Sequence, residues 1–143
     1  MVASQAQSQA QSQTQSQIRS TILIIDDSST IRRSAELFLS QAGYQVVLAE
    51  DGFEALAKIV DHLPSLIFCD ILMPRLDGYQ TCSLIRHSRQ FHLTPVVMLS
   101  SRDGLFDRAR GALAGANAYL TKPFTKDSLL NAVREHVPHM AVA

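Results

Sequence analysis

Five short apolar runs, each of strand length, alternate along this chain with stretches in which apolar residues recur at helical spacing. Thr21 opens the first, Ile22-Leu23-Ile24-Ile25, which ends in Asp26-Asp27-Ser28. Ile31, Ala35, Phe38, Leu39 and Ala42 then share one face of a predicted helix, with Arg32, Arg33, Glu36 and Gln41 elsewhere, and Gly43 stops it. A second strand runs from Gln45 to Ala49. Glu50-Asp51-Gly52 turns the chain into a helix whose apolar positions are Phe53, Leu56, Ile59, Val60 and Leu63, closed by Pro64. The third run, Leu66-Ile67-Phe68-Cys69, delivers Asp70 at its tip and breaks at Pro74, and a helix with Tyr79, Cys82 and Ile85 at three-residue steps follows Asp77-Gly78. Pro95-Val96-Val97-Met98-Leu99 is a fourth strand tipped by Ser100-Ser101. A helix from about Gly104 to Leu113 comes next, weakened by Gly111, since an interior glycine costs about 1 kcal/mol relative to alanine. Asn117 to Thr121 is the fifth strand, ending at Lys122-Pro123-Phe124. Thr125 caps a last helix with Leu129, Leu130 and Val133 on its apolar face and Arg134 and His136 at the end that favours cations.

Strands that are continuously apolar rather than alternating, each followed by a helix, predict a parallel sheet covered on both faces by right-handed crossovers. The expected fold is a doubly wound α/β sandwich of flavodoxin type, with strand order 2-1-3-4-5. Such sheets bind ligands beyond the C-terminal strand edge where the order reverses, here between strands one and three.

Composition refines this picture at the chain's ends and in what it excludes. Residues 1–17 alternate Gln, Ser and Ala without charge, which offers too little apolar surface to offset ordering entropy, so residues 1–20 are expected to be a disordered tail. The folded domain is expected over 21–138, with 139–143 a C-terminal tail. Thirteen basic and thirteen acidic residues cancel, which argues against nucleic acid or an anionic membrane as partner. The arginines Arg86, Arg89, Arg102, Arg108 and Arg110 read as a solvated face, and His62, His87, His92, His136 and His139 have no ligand spacing. Cys69 and Cys82 read as buried, reduced thiols. No run approaches the roughly twenty apolar residues of a membrane span and no secretory signal opens the chain, so a cytoplasmic location is expected.

The polar strand tips carry the chemistry. Asp26 and Asp27 end strand one and Asp70 ends strand three, about 5 Å away if the two are neighbours. Three carboxylates so close repel unless one is protonated or a cation joins them, and a few carboxylates with room for water suit Mg²⁺. Ser100 tips strand four and offers a hydroxyl. Lys122 tips strand five, about 10 Å from strand three, a distance its long side chain largely covers. Singly each group has a plain structural role: Asp27 or Ser28 as helix cap, Ser100 as turn hydroxyl, Lys122 as loop charge. Together they assemble into phosphoryl transfer, with Mg²⁺ screening the acids, Asp70 as nucleophile, and Lys122 and Ser100 holding the phosphoryl oxygens.

With these residues in view, the chain resembles the receiver domain of two-component response regulators, the single-domain chemotaxis regulator in particular, over roughly Thr21 to Val137. Ile25-Asp26-Asp27, Asp70-Ile71-Leu72-Met73-Pro74, Asp77-Gly78, Leu99-Ser100-Ser101 and Lys122-Pro123-Phe124 carry the likeness. The resemblance implies that Asp70 is the phosphoacceptor, that Asp27, Asp70 and the Leu72 backbone carbonyl bind Mg²⁺ directly, and that Asp26 helps largely through water. It makes Ser100, where the family uses Thr or Ser, the switch hydroxyl, with Ser101 beside it, and Tyr119 the aromatic that swings inward on activation. Lys122-Pro123 is usually cis in the family, and Leu72 and Arg102 stand where relatives tune acyl-phosphate hydrolysis. A phosphohistidine kinase of chemotaxis type is the implied donor, and a signalling phosphoacceptor rather than an enzyme the implied role. The runs from Pro74 to Cys82 and from Ser100 to Asp107 further resemble regulators of chemosensory systems governing type IV pili and twitching motility, which implies a downstream effector at the pilus motor. With no second domain after the last helix, output is expected from a changed binding surface.

Three rivals fit less well. A haloacid-dehalogenase-type phosphatase needs a second acid two residues after its nucleophile on strand one, where Asp26 is followed by Ser28. A flavodoxin-like mononucleotide binder wants a phosphate loop where this chain has two carboxylates. A non-phosphorylated receiver-like interaction module usually lacks an acid or the lysine, and none is missing here; a phosphate sink is the remaining alternative.

Overall fold

The computed structural model describes residues 20–101 and 105–137; the N-terminal tail, Arg102 and residues 139–143 lie outside them. The elements alternate as β1 (Thr21–Ile25), α1 (Ser29–Gln41), β2 (Gln45–Ala49), α2 (Gly52–His62), β3 (Leu66–Asp70), α3 (Gly78–His87), β4 (Val96–Ser100), α4 (Leu105–Ala114), β5 (Ala118–Thr121) and α5 (Lys126–His136). All strand pairs are parallel and their order is 2-1-3-4-5. The strands expected from the apolar runs therefore form, with shifts of a residue at the ends of β4 and β5.

The continuous apolar runs arise because both faces of the sheet are covered. One face packs Leu23, Ile25, Ile67, Cys69 and Met98 against α2 and α3, through Ala55, Ile59, Tyr79, Cys82 and Ile85. The opposite face packs Ile22, Ile24, Phe68, Val97 and Leu99 against α1 and α5, through Ala35, Leu39, Leu129, Leu130 and Val133. Both cysteines are free and buried, and burial pushes the thiols up from their ordinary pKa.

Polar side chains start most of the helices. Ser28, Asp51, Asp77 and Thr125 each accept from a backbone N–H in the first turn, and Asp77 with Gln80 and Thr125 with Ser128 complete reciprocal capping boxes. Gly43, at φ +97°, ends α1 as expected.

Two helix faces differ from the pattern expected of the sequence. In α2, Phe53 and Val60 point outward, and Leu63 beyond its end is exposed in a left-handed conformation, while Gly52, Ala55 and Ile59 meet the core. Small residues let this helix approach closely: a Cβ on Gly52 would stand 2.7 Å from a Leu76 methyl carbon. The Phe53 ring is covered instead by the Arg75 guanidinium at 5.6 Å. Ala42 caps the C-terminal end of α1 and is exposed rather than part of its apolar face.

Candidate functional site

Strand ends β1, β3, β4 and β5 converge on one edge of the sheet. Register fixes this: Ile25 pairs with Cys69, Asp70 with Leu99, and Ser100 with Thr121, so Asp26, Asp70, Ser100 and Lys122 emerge side by side. Ligand oxygens of Asp26, Asp27 and Asp70 all lie within 4.8 Å of one another. Asp26 is fully buried, Asp70 is 4% exposed, and Asp27 faces solvent. The Lys122 ammonium spans the gap and donates to Asp70 Oδ1 at 3.0 Å and to Asp26 Oδ2 at 3.1 Å. Its reach is complete, beyond what strand spacing alone suggested.

A cavity of 540 Å³ opens above this cluster, lined by Asp27, Asp70, Leu72, Ser100, Ser101, Asp107 and Lys122 among others. Ser100 is buried at its floor. Leu72 turns an exposed side chain outward from the loop that follows β3. The structure thus brings together all the strand-tip residues predicted from sequence, while Tyr119 sits further back on β5, half-buried and paired with Met98. The Lys122-Pro123 peptide is cis.

Burial pushes the Asp70 carboxyl up to about 6, because an anion so poorly solvated is costly; the Asp26 charge adds to this, and Lys122 opposes it without prevailing. Burial works against the charged form of Lys122, yet its bond to Asp70 and the charges of both acids outweigh it and hold the ammonium above its ordinary range. An uncompensated pair of buried acids around one lysine is a donor set of oxygens with a charge deficit. That chemistry fits a hard divalent cation held partly by water far better than zinc.

Two neighbours join the site that the pattern of strand tips does not select. The Arg32 guanidinium donates to the Asp26 backbone carbonyl at 2.6 Å and lies 3.7 Å from Glu50, fixing the turn that presents the acids. Asp107, in the first turn of α4, contributes a carboxylate to the cavity wall. Its place just beyond a strand tip was the one available hint, since ligands of such sheets sit there.

Comparison with known proteins bears on this geometry directly. The family model described as the response regulator receiver domain matches residues 22–134. The chain belongs to the response regulator receiver family. Among receivers, it is 59% identical over 117 residues to Protein PilG of Pseudomonas aeruginosa, a match covering 82% of this chain and 87% of that protein. It is 41% identical over 113 residues to the response regulator MprA of Mycobacterium sp. (strain KMS), where the match covers 79% of this chain but 48% of the relative, so the chain spans about half of that protein's length. Solved receiver structures superpose closely. The Vibrio cholerae chemotaxis protein CheY4 gives a TM-score of 0.80 at 33% identity, covering 83% of this chain and 99% of that one. A CheY-like receiver domain protein from Methanospirillum hungatei gives 0.75 at 30% identity, covering 82% and 92%. Among the described residues no helix is long and apolar enough to cross a membrane.

Proposed function

We propose that this receiver accepts a phosphoryl group on Asp70 from the phosphohistidine of a chemotaxis-type histidine kinase and signals by changing a binding surface. The observation that carries the reading is the Lys122 ammonium bridging Asp26 and Asp70 under an open cavity, beside a third carboxylate. Asp26, Asp27 and Asp70, with the Leu72 carbonyl, would hold Mg²⁺, which when bound supplies charge neutralisation for the acids and the incoming phosphoryl oxygens.

An Asp70 carboxylate oxygen attacks phosphorus and forms the acyl phosphate. The P–N bond breaks, and the departing imidazole keeps its electron pair and takes a proton from water. Lys122, already at hydrogen-bond distance from Asp70, follows the charge onto the phosphoryl oxygens, and the Ser100 hydroxyl lies on the same cavity floor to donate to another. The burial that raises the Asp70 pKa also strengthens these contacts by excluding water. Because the phosphoryl group stays on the protein until hydrolysis, the role is that of a signalling phosphoacceptor acting in the cytoplasm. Likeness of the runs 74–82 and 100–107 to regulators of type IV pilus chemosensory systems, together with 59% identity to Protein PilG, supports a place in pilus motility with an effector protein as output partner.

Intact mass after incubation with acetyl phosphate tests the reading. The native chain with Mg²⁺ should gain one phosphoryl mass, while metal-free protein and Asp70→Asn should not. No adduct under any of these conditions would overturn phosphotransfer and leave a protein-interaction module as the better account.

A further inference from the structure

The face between α3, α4 and β5 carries polar groups that the phosphoacceptor chemistry does not use. Tyr79, in the first turn of α3, is 8% exposed, and its hydroxyl lies 3.4 Å from Asp107 Oδ1 and 3.5 Å from the Asp107 carbonyl. The Arg110 guanidinium sits over the Tyr79 ring at 4.5 Å. Tyr119 packs against the same core cluster, and among the described residues its buried hydroxyl has no well-formed hydrogen bond, although the Tyr79 hydroxyl and the Gly111 backbone lie close beside it. The niche that receives the Tyr119 ring exists because residue 111 has no Cβ: one placed there would meet the hydroxyl and stand 2.8 Å from two ring carbons.

Tyr79 therefore stands between an acid that lines the phosphoryl cavity and the buried, poorly bonded hydroxyl of Tyr119. Converting the Asp70 carboxylate into an acyl phosphate of about −1.5 to −2 charges would add about −0.5 to −1 to the cavity that Asp107 lines, and like charge in a poorly solvated space drives the two apart. We propose that Tyr79 couples the cavity to Tyr119 by exchanging partners, bonding to Asp107 when the cavity is empty of phosphoryl and to the Tyr119 hydroxyl when Asp107 is repelled. This rests on Asp70 being the phosphoacceptor. Arg110 holds the Tyr79 ring in both states, so the exchange turns the O–H rather than the ring. Release of Asp107 frees the first turn of α4, and satisfying Tyr119 favours its inward position. Tyr79 acts as a positioning residue, touching no reacting atom.

The chain has three tyrosines and no tryptophan, so uniform 3-fluorotyrosine labelling gives three ¹⁹F resonances, assignable by single Tyr→Phe variants. Spectra of the full chain are recorded with Mg²⁺ alone and with acetyl phosphate added, and the adduct fraction is read in parallel by intact mass. The Tyr79 and Tyr119 resonances should shift together in proportion to the adduct, with Tyr44 unmoved. In Tyr79→Phe, which keeps the packed ring, the adduct should still form while the Tyr119 shift is lost. In Asp107→Asn, where nothing charged is repelled, both shifts per unit adduct should shrink. An adduct with a silent Tyr79 resonance, or a full Tyr119 response in Tyr79→Phe, would overturn the coupling and leave phosphotransfer standing. Absence of the adduct in the native chain would overturn both.

Discussion

In the proposed function Asp70 is asked to be two things, a carboxylate poised for attack and a buried group with little water around it. A carboxyl whose pKa rises on folding binds protons more tightly folded than unfolded, so the metal-free protein loses stability as pH climbs from its ordinary value of 3.8 through about 6. A shift of that size corresponds to about 3 kcal/mol at most. Urea denaturation in chelator should show this: relative to Asp70→Asn, the native chain loses stability between pH 4 and 7, and the variant is the more stable protein at pH 7. Equal pH slopes for the two would show that Lys122 already compensates Asp70 fully. The same reasoning gives Lys122 a different sign. Its raised pKa means its stabilising contribution is complete at neutral pH and is lost only in strong alkali.

Asp70 is held in place by an element that never touches its carboxylate. Gly78 begins α3 against the back of the β3 loop: its N–H donates to the Ile71 carbonyl at 2.9 Å, and a Cβ on it would run into the Asp70 carbonyl and stand 2.8 Å from the Ile71 Cα. Neither atom is the loose end of a side chain, so Gly78→Ala must move backbone. The expected cost is at the top of the roughly 1–3 kcal/mol range for overpacking, together with a weakened Mg²⁺ response, both measurable by denaturation with and without the ion. Elements of this kind were legible to different degrees. Four or five consecutive apolar residues mark a strand of a covered sheet, and the cap Thr125 marks where the last helix begins, so β1 to β4 and α5 follow from pattern alone. The inward face of α2 does not. Apolar periodicity weighs residues by size, which selects Phe53 and Val60, whereas close packing against Leu76 and Thr81 selects Gly52, and the core takes the small Ala55, residues useful for what they lack.

At the scale of the whole molecule, contacts distant in sequence fasten the layers together. Arg86 at the end of α3 donates to the Gly115 and Thr94 carbonyls and to Asn117 Oδ1, which itself receives the Val96 N–H, so one side chain ties α3 to the start of both β4 and β5. Such links, like that of Tyr79 to Asp107, leave no periodic trace because they join positions about thirty residues apart with no repeating spacing. The strand-tip site was legible for the opposite reason, since every parallel strand of the sheet must end at the same edge. Its assembly has a consequence in time. Lys122 is 96 residues from Asp26 and 52 from Asp70, and it arrives on an edge strand, the last in chain order. Until that strand docks, β1 and β3 must pair while pressing three carboxylates together with no cation of their own to separate them. Millimolar Mg²⁺ should therefore speed refolding followed by far-ultraviolet circular dichroism, and Asp26→Asn should refold faster without the ion and gain less from it. Equal native refolding rates with and without Mg²⁺ would mean that the acids meet only after the rate-limiting step, with Lys122 already among them. In the first case, the cation proposed to serve signalling in the finished protein is also the one that lets its sheet close.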